Sequence, residues 1–170
     1  MLRSKRYVFV PFCLLAQGVR ATGIVKRYSS AIAPVVNLLM EENVNIIQMM
    51  CPELIFDGFH RKPCGRLKYD TPQNHKICQE VAEKQVQMME MLINNGHSVE
   101  AIVGIEFSPS CAVSRLTGKW PRGQQKGEGI YVEELRKLMD QKGIKVPFIG
   151  IQMYHMSDTL RELSEVLRKN

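Results

Sequence analysis

Three of the five cysteines, Cys13, Cys51 and Cys111, each follow a short apolar segment of the kind that forms a buried strand. Thiolates are soft ligands that suit zinc and iron–sulfur clusters, so three of them brought together would form a metal or cluster site. The alternative is that all three are buried as small hydrophobic residues. We favour ligands, because each cysteine stands where a loop begins rather than inside the core.

Alternating apolar and amphipathic segments predict the elements that must position these cysteines. The predicted strands cover residues 7–11, 44–50, 101–107 and 146–151. The predicted helices cover residues 30–42, 76–95, 130–142 and 158–168. Glycine and proline mark residues 17–28, 52–72 and 108–128, which we predict to be loops.

Strands that are apolar on both faces and alternate with helices predict an α/β fold. Its sheet is parallel and Rossmann-like, with four or more strands and helices on both faces. The 170 residues suit one three-layer domain, which we expect to span residues 1–170. The carboxyl ends of parallel strands share one edge, where ligands of such sheets bind. Cys13, Cys51 and Cys111 are therefore expected to converge at that edge.

Two motifs place further polar groups beside the cysteines. Glu53 lies two residues after Cys51, and Ser108 and Ser110 precede Cys111. Near a metal, the carboxylate could move protons and a serine could orient or activate water. The alternatives are a loop cap for Glu53 and turn hydrogen bonds for the serines, and the residues alone leave both open.

Basic residues concentrate in the loops that follow the three cysteines. The chain carries a formal charge of +6, and no acidic residue precedes Glu41. Cations such as Arg20, Arg61 and Arg115 would favour thiolates and attract an anionic substrate. With three such loops at one edge, a binding patch and a solvated basic surface are both open. The other basic residues here are Lys26, Arg27, Lys62, Arg66, Lys68, Lys119, Arg122 and Lys126.

Composition excludes several other classes of protein. Hydrophobic residues make up 45% and charged residues 24%, as in globular chains rather than disordered or coiled-coil ones. No apolar run is long enough to span a bilayer, so we expect no membrane association. Residues 1–16 resemble a signal peptide, but Pro11 interrupts the apolar run and bulky Leu14 stands where a cleavage site needs a small residue. We therefore predict a strand there and a cytoplasmic protein.

The chain resembles the thiouracil desulfidase family in three motifs, in this order: Cys13-Leu-Leu, Cys51-Pro-Glu53 and Ser108-Pro-Ser110-Cys111. The resemblance implies a [4Fe–4S] cluster held by Cys13, Cys51 and Cys111, whose fourth iron is open to the sulfur of the substrate. It implies catalytic roles for Glu53, Ser108 and Ser110. The implied reaction is non-redox hydrolysis of a C–S bond in a small thiolated base or nucleotide, or in thiolated RNA, with release of sulfide.

The chain also departs from that family. Ala112 follows Cys111 where the family usually has glycine, and Arg20-Ala-Thr-Gly stands where it tends to have Arg-Tyr-Asp-Gly. The segment 58–65 differs as well and adds Cys64. The chain therefore resembles a divergent branch, in which cluster binding is better indicated than thiouracil as the substrate.

Two other functions compete with a desulfidase. A non-catalytic module could hold zinc or a cluster in a closed site of four cysteines, with Cys64 as the fourth ligand. A thiolate enzyme could use Cys13 as its nucleophile, although Arg20 is too far along the chain for a phosphate-binding Cys-x5-Arg loop. Cys78 is predicted to be structural. The sequence does not determine the oligomeric state.

Overall fold

A four-stranded parallel sheet forms the centre of the computed structural model, which describes residues 3–118 and 123–169. Its strand order is β2-β1-β3-β6, so the first and third strands are central, and β4 and β5 form a separate antiparallel hairpin. The predicted α/β fold with a parallel sheet is confirmed. The strands are β1 (Arg6–Pro11), β2 (Asn45–Met49), β3 (Ser98–Ile105), β4 (Arg115–Thr117), β5 (Gln124–Lys126) and β6 (Phe148–Ile151).

Helices cover both faces of the sheet, as the apolar character of the strands predicted. Along β1, Phe9 packs into the core shared with α5 and α6, whereas Val8 and Val10 pack into the core shared with α2 and α7. Side chains of successive strand residues point to opposite faces, so one strand supplies both cores. The helices are α1 (Phe12–Leu15), α2 (Ala33–Glu41), α3 (Pro52–Asp57), α4 (Arg66–Tyr69), α5 (Pro72–Asn94), α6 (Ile130–Gln141) and α7 (Met156–Lys169).

The longest helix, α5, begins four residues before its predicted start. Thr71 caps it by accepting a hydrogen bond from the Asn74 backbone N–H at 3.2 Å, and Pro72 occupies the first helical position. Proline is tolerated there because that N–H has no intrahelical acceptor. The helix ends as predicted before Gly96, whose φ of 74° belongs to the left-handed region that glycine favours.

Two segments predicted as loops contain regular structure. Residues 52–72 hold α3 and α4, and residues 108–128 hold the β4–β5 hairpin. Pro52 begins α3 with a backbone angle already suited to a helix, directly after Cys51. These elements are three to six residues long, which is too short for hydrophobic periodicity to reveal.

The apolar N-terminal segment forms a strand, as predicted, and this strand is central in the sheet. Residues of β1 pair with β2 on one side and with β3 on the other, in parallel. Within residues 3–118 and 123–169, no helix combines the length and the apolar character needed to cross a bilayer.

Candidate metal centre

A cavity of about 440 Å³ opens at the carboxyl ends of β1, β2 and β3. Cys13, Cys51 and Cys111 all line it, each contributed by the connection that follows one of these strands. Cys13 lies in α1 directly after β1, and Cys51 is the residue that precedes α3. The parallel topology thus brings together three thiols that are far apart in sequence.

Burial at the cavity wall disfavours the thiolate form of these three cysteines. It raises the pKa of Cys13 to about 12 and raises the pKa of Cys51 and Cys111 as well. After burial, the nearby Cys51 and Cys13 sulfurs are the next causes of the raised pKa of Cys111. Thiolates close to one another repel, so a bound cation would replace the protons that the thiols carry.

The three thiols line one cavity, but their sulfurs are not arranged to coordinate a single metal ion. Among the described residues, no group of three or more His, Cys, Asp or Glu side chains is placed so that it could hold a metal ion. One ion requires sulfurs within about 4.6 Å of one another, because each metal–sulfur bond is only ~2.3 Å long. Ligands of a cluster bind separate irons, which places them farther apart. The donor chemistry, three soft ligands at one cavity, fits a cluster.

Glu53 lines the same cavity, and each of its carboxylate oxygens contacts a polar side chain. Its Oε1 accepts a hydrogen bond from the Ser108 hydroxyl at 3.1 Å, and its Oε2 lies 3.5 Å from Nε of Arg61. The Glu53 side chain is 13% exposed and the Arg61 side chain is 3% exposed. These contacts fix a carboxylate next to the proposed ligands, with enough exposure to meet a small molecule in the cavity.

The two candidate serines have different surroundings. Ser108 lines the cavity, and its hydroxyl oxygen also accepts the backbone N–H groups of Ser110 at 3.2 Å and Cys111 at 3.0 Å. The Ser110 side chain is fully buried and does not line the cavity, and within residues 3–118 and 123–169 its Oγ has no hydrogen-bond partner. Only Ser108 is placed to meet a bound molecule.

The predicted basic residues separate into several groups. The cavity is lined by Arg20, Lys26 and Arg27, and also by Arg61, which is almost fully buried. Arg115 does not line the cavity; it donates to Gln152 at 3.2 Å on another surface. Lys119 and Arg122 lie outside the described residues.

Two more cations of the basic loops belong to ion pairs. Arg66 forms a bidentate pair with Glu133 at 2.7 and 2.8 Å, and Lys68 pairs with Asp57. Neither cation lines the cavity, so the binding-patch interpretation rests mainly on the basic residues that follow Cys13.

The two remaining cysteines also differ. Cys64 lines the cavity, and its Sγ lies 3.3 Å from the Lys62 carbonyl. Cys78 is fully buried in the core beneath α5, where Asn74 donates to its sulfur at 3.8 Å. The prediction that Cys78 is structural agrees with this position.

Three cavity residues were missed by the sequence analysis. Glu106 is buried, and it accepts hydrogen bonds from the Ser114 hydroxyl at 2.8 Å and from the Arg115 N–H at 2.9 Å. Its signal was an acid at the end of an otherwise apolar strand. Phe107 lines the cavity with a φ of 68°, and no sequence pattern indicates this. Tyr131 looked like an ordinary helix residue, but it lines the cavity, and burial raises the pKa of its phenol.

Fold and site together define a class: an α/β protein with a thiol-lined cavity at the carboxyl edge of its sheet. No family model matches the chain. An uncharacterised protein of Methanocaldococcus jannaschii is 27% identical over 148 residues, which cover 87% of this chain and 86% of that protein. A solved [4Fe–4S]-dependent thiouracil desulfidase is similar in structure, with a TM-score of 0.53 and 20% identity over 97% of this chain and 99% of the other. This likeness shows a shared fold.

Proposed function

We propose that this protein is an iron–sulfur-dependent desulfidase that hydrolyses the C–S bond of a thiolated nucleobase or nucleotide. A [4Fe–4S] cluster would be held by Cys13, Cys51 and Cys111, within one domain formed by residues 1–170. One observation carries the proposal: three thiols and the hydrogen-bonded Glu53–Ser108 pair line the same cavity. The shared fold with a thiouracil desulfidase supports it.

The chain's own residues supply the proton chemistry of this reaction. When bound, the cluster would supply a Lewis acid for the thiocarbonyl sulfur. Glu53 is placed to accept a proton from water as the water oxygen bonds to the thiocarbonyl carbon. The C–S bond then breaks and sulfide leaves with the protons of water. The thiocarbonyl becomes a carbonyl, and no electrons are gained or lost.

Ser108 orients the carboxylate for that step. Its hydroxyl donates to Oε1 of Glu53 and accepts two backbone N–H groups, so its proton is directed at the glutamate. We assign the serine role to Ser108 rather than to Ser110, which lies behind the cavity wall.

Arg20, supported by Lys26 and Arg27, gives the cavity its positive side. Unlike Arg66 and Lys68, it has no carboxylate contact among the residues that the structure describes. A cation lining a cavity attracts anionic ligands, which favours a nucleotide over a neutral base. Thiolated RNA carries the same phosphate groups, and a comparison of the three substrates would separate them.

The direct test is anaerobic reconstitution followed by chemical analysis. We expect iron and acid-labile sulfide in the proportions of a [4Fe–4S] cluster, and sulfide release from thiouracil, thiouridine monophosphate or thiolated RNA. Zinc in place of iron, or a full cluster without sulfide release from any of the three, would contradict the proposal.

A closed four-cysteine module is the second candidate, because Cys64 lines the same cavity. With an open iron, Cys64→Ala keeps both the cluster and sulfide release. Loss of bound metal from Cys64→Ala would instead identify four protein ligands, which leave no position for substrate sulfur. Cys78→Ala is the matched control, since that thiol lies in the core outside the cavity.

A further inference from the structure

Arg61 joins three parts of the cavity wall through a single buried guanidinium. Nε lies 3.5 Å from Oε2 of Glu53, Nη1 donates to the Gly58 carbonyl at 3.0 Å, and Nη2 lies 3.9 Å from Sγ of Cys51. All three nitrogens therefore have a partner within the protein. The side chain is only 3% exposed, so its guanidinium is engaged mainly with these protein groups rather than with the open cavity.

The backbone of Arg61 ties the same residue to the first cavity loop. Its carbonyl accepts the Thr22 N–H at 2.9 Å, and Thr22 stands in the segment that follows Cys13. Gly58 permits the turn before Arg61, because its φ of 75° suits glycine. Arg61 thus connects the segments that follow Cys13 and Cys51, and Glu53 extends the connection to Ser108.

We propose that Arg61 is a positioning residue that fixes the Glu53 carboxylate at the cavity wall beside Cys51, rather than a residue that binds substrate. Its catalytic consequence rests on the proposed function. The guanidinium fork explains why arginine suits this position: it reaches a carboxylate and a sulfur at once, which the single ammonium of lysine does not. A carboxylate displaced by about 1 Å can lose on the order of a hundredfold in rate.

The kinetic test compares Arg61→Gln with Arg61→Lys in the iron-loaded protein. We expect Arg61→Gln to lower kcat about tenfold to a hundredfold, with KM for thiouridine monophosphate changed less than about threefold. Arg61→Lys should recover part of the loss. Because a cation near a ligand sulfur stabilises the reduced cluster, Arg61→Gln should also shift the reduction potential to more negative values.

A double-variant cycle identifies the group through which Arg61 acts. In a Glu53→Gln background, Arg61→Gln should cause no further loss of kcat, because the carboxylate that it positions is already absent. Arg66→Gln is the matched control: it breaks an ion pair with Glu133 in the same part of the chain, away from the cavity, and should leave kcat unchanged.

The cycle is repeated on the metal-free protein, by urea unfolding, so that the result does not depend on the proposed function. Arg61→Gln should lower the urea midpoint more in the wild type than in the Glu53→Gln background. A large rise in KM with kcat unchanged would make Arg61 a substrate-binding residue. If the effects of Arg61→Gln and Glu53→Gln are additive both in kcat and in the urea midpoint, the proposal is likewise wrong. If the protein binds no iron and releases no sulfide, but Arg61 and Glu53 are coupled in the urea unfolding cycle, the desulfidase function is wrong. The positioning role of Arg61 is then retained.

Discussion

Opposite ends of the central sheet each carry an arginine beside a glutamate, buried in the case of Glu100 and partly buried in the case of Glu53. At the amino end, Arg6 Nε lies 3.4 Å from Oε1 of Glu100, and its guanidinium also donates to the carbonyls of Glu42 and Leu167. These carbonyls end α2 and α7, where a cation is favourable to the helix dipole. The amino-end pair therefore holds helices against the sheet.

The carboxyl-end pair has different neighbours. Glu53 and Arg61 contact Ser108 and Cys51, and Glu53 lines the cavity. An arginine–glutamate pair in itself does not indicate a function, because both ends of the sheet have one. The groups around the pair, thiols and a hydroxyl in one case and helix carbonyls in the other, distinguish a candidate site from a structural contact.

Removing a thiol should give the largest difference between cavity and core. Cys111→Ala should lose the reconstituted iron, because it removes one of three anchors. Cys78→Ala should keep the iron and lower the free energy of unfolding by about 1–2 kcal/mol, since it leaves a small void in the core. Iron content and urea unfolding measure the two effects. Equal iron retention in both variants would mean that Cys111 is not a ligand.

Neutralising each glutamate should separate catalysis from stability. Glu53→Gln should keep the cluster and lower the rate of sulfide release by about 10²–10⁴-fold, because the amide cannot take a proton. Glu100→Gln should leave the rate within about twofold and cost about 1–3 kcal/mol of stability, because it weakens a buried contact with Arg6. Steady-state rates and urea midpoints are the measurements. If Glu100→Gln is as inactive as Glu53→Gln, the Arg6–Glu100 pair is not merely structural and the two pairs do not differ in function.

The two serines provide a smaller contrast within one loop. Ser108→Ala should lower the rate about tenfold, since it removes the hydroxyl that donates to Glu53. Ser110→Ala should leave the rate unchanged, because its hydroxyl lies outside the cavity and makes no hydrogen bond to any described residue. The measurement is the rate of sulfide release by the two variants, compared at equal iron content. A greater loss for Ser110→Ala would place the reacting water on the other side of the loop.

The smallest effect should come from His75, on the α5–α6 face. Hydrogen bonds to Asp70 and Glu134 raise the pKa of His75 above 6.5, and the bond to His75 lowers the pKa of Asp70 below 3.8. Because the His75 pKa is raised in the folded protein, protonated His75 stabilises the fold below pH 6.5. This stabilisation is lost as pH rises through the raised pKa. The lowered Asp70 pKa stabilises the fold above pH 3.8 and is lost as pH falls.

The contribution of His75 should therefore be greatest between these two values. His75→Gln should lower the urea midpoint most near about pH 5 and progressively less toward about pH 9, with the rate of sulfide release unchanged. Asp70→Asn should reduce the same pH dependence. A difference between wild type and His75→Gln that does not vary with pH would show that the charge on His75 is not involved.

Much of the fold followed from periodicity. The four strands of the sheet and the helices α2, α5, α6 and α7 were predicted, because each buries a long enough apolar pattern to be recognised. The strand order and the short elements α3, α4 and the β4–β5 hairpin were not. They depend on tertiary contacts and turn geometry, which residue types do not encode locally.

The candidate site could be predicted as a set of residues but not as a network. Placing three cysteines after three strands required only the parallel topology. From the sequence, Arg61 could not be distinguished from Arg115, since both are basic loop residues. Ser108 and Ser110 could not be distinguished either. Burial separates the members of each pair: Arg61 is 6% exposed, whereas Arg115 is exposed at the surface. Such differences arise only once the chain is folded.

The wide spacing of the three cavity thiols along the chain bears on how the proposed cluster would be loaded. Cys13 and Cys111 meet only after β1 has paired with β3, which joins residues more than ninety positions apart, such as Arg6 and Ser98. Pairings this distant slow folding, because a long loop must close before its contacts form. A ligand that needs all three thiols therefore depends on this long-range pairing. Until that pairing forms, the chain exposes these thiols to oxidation.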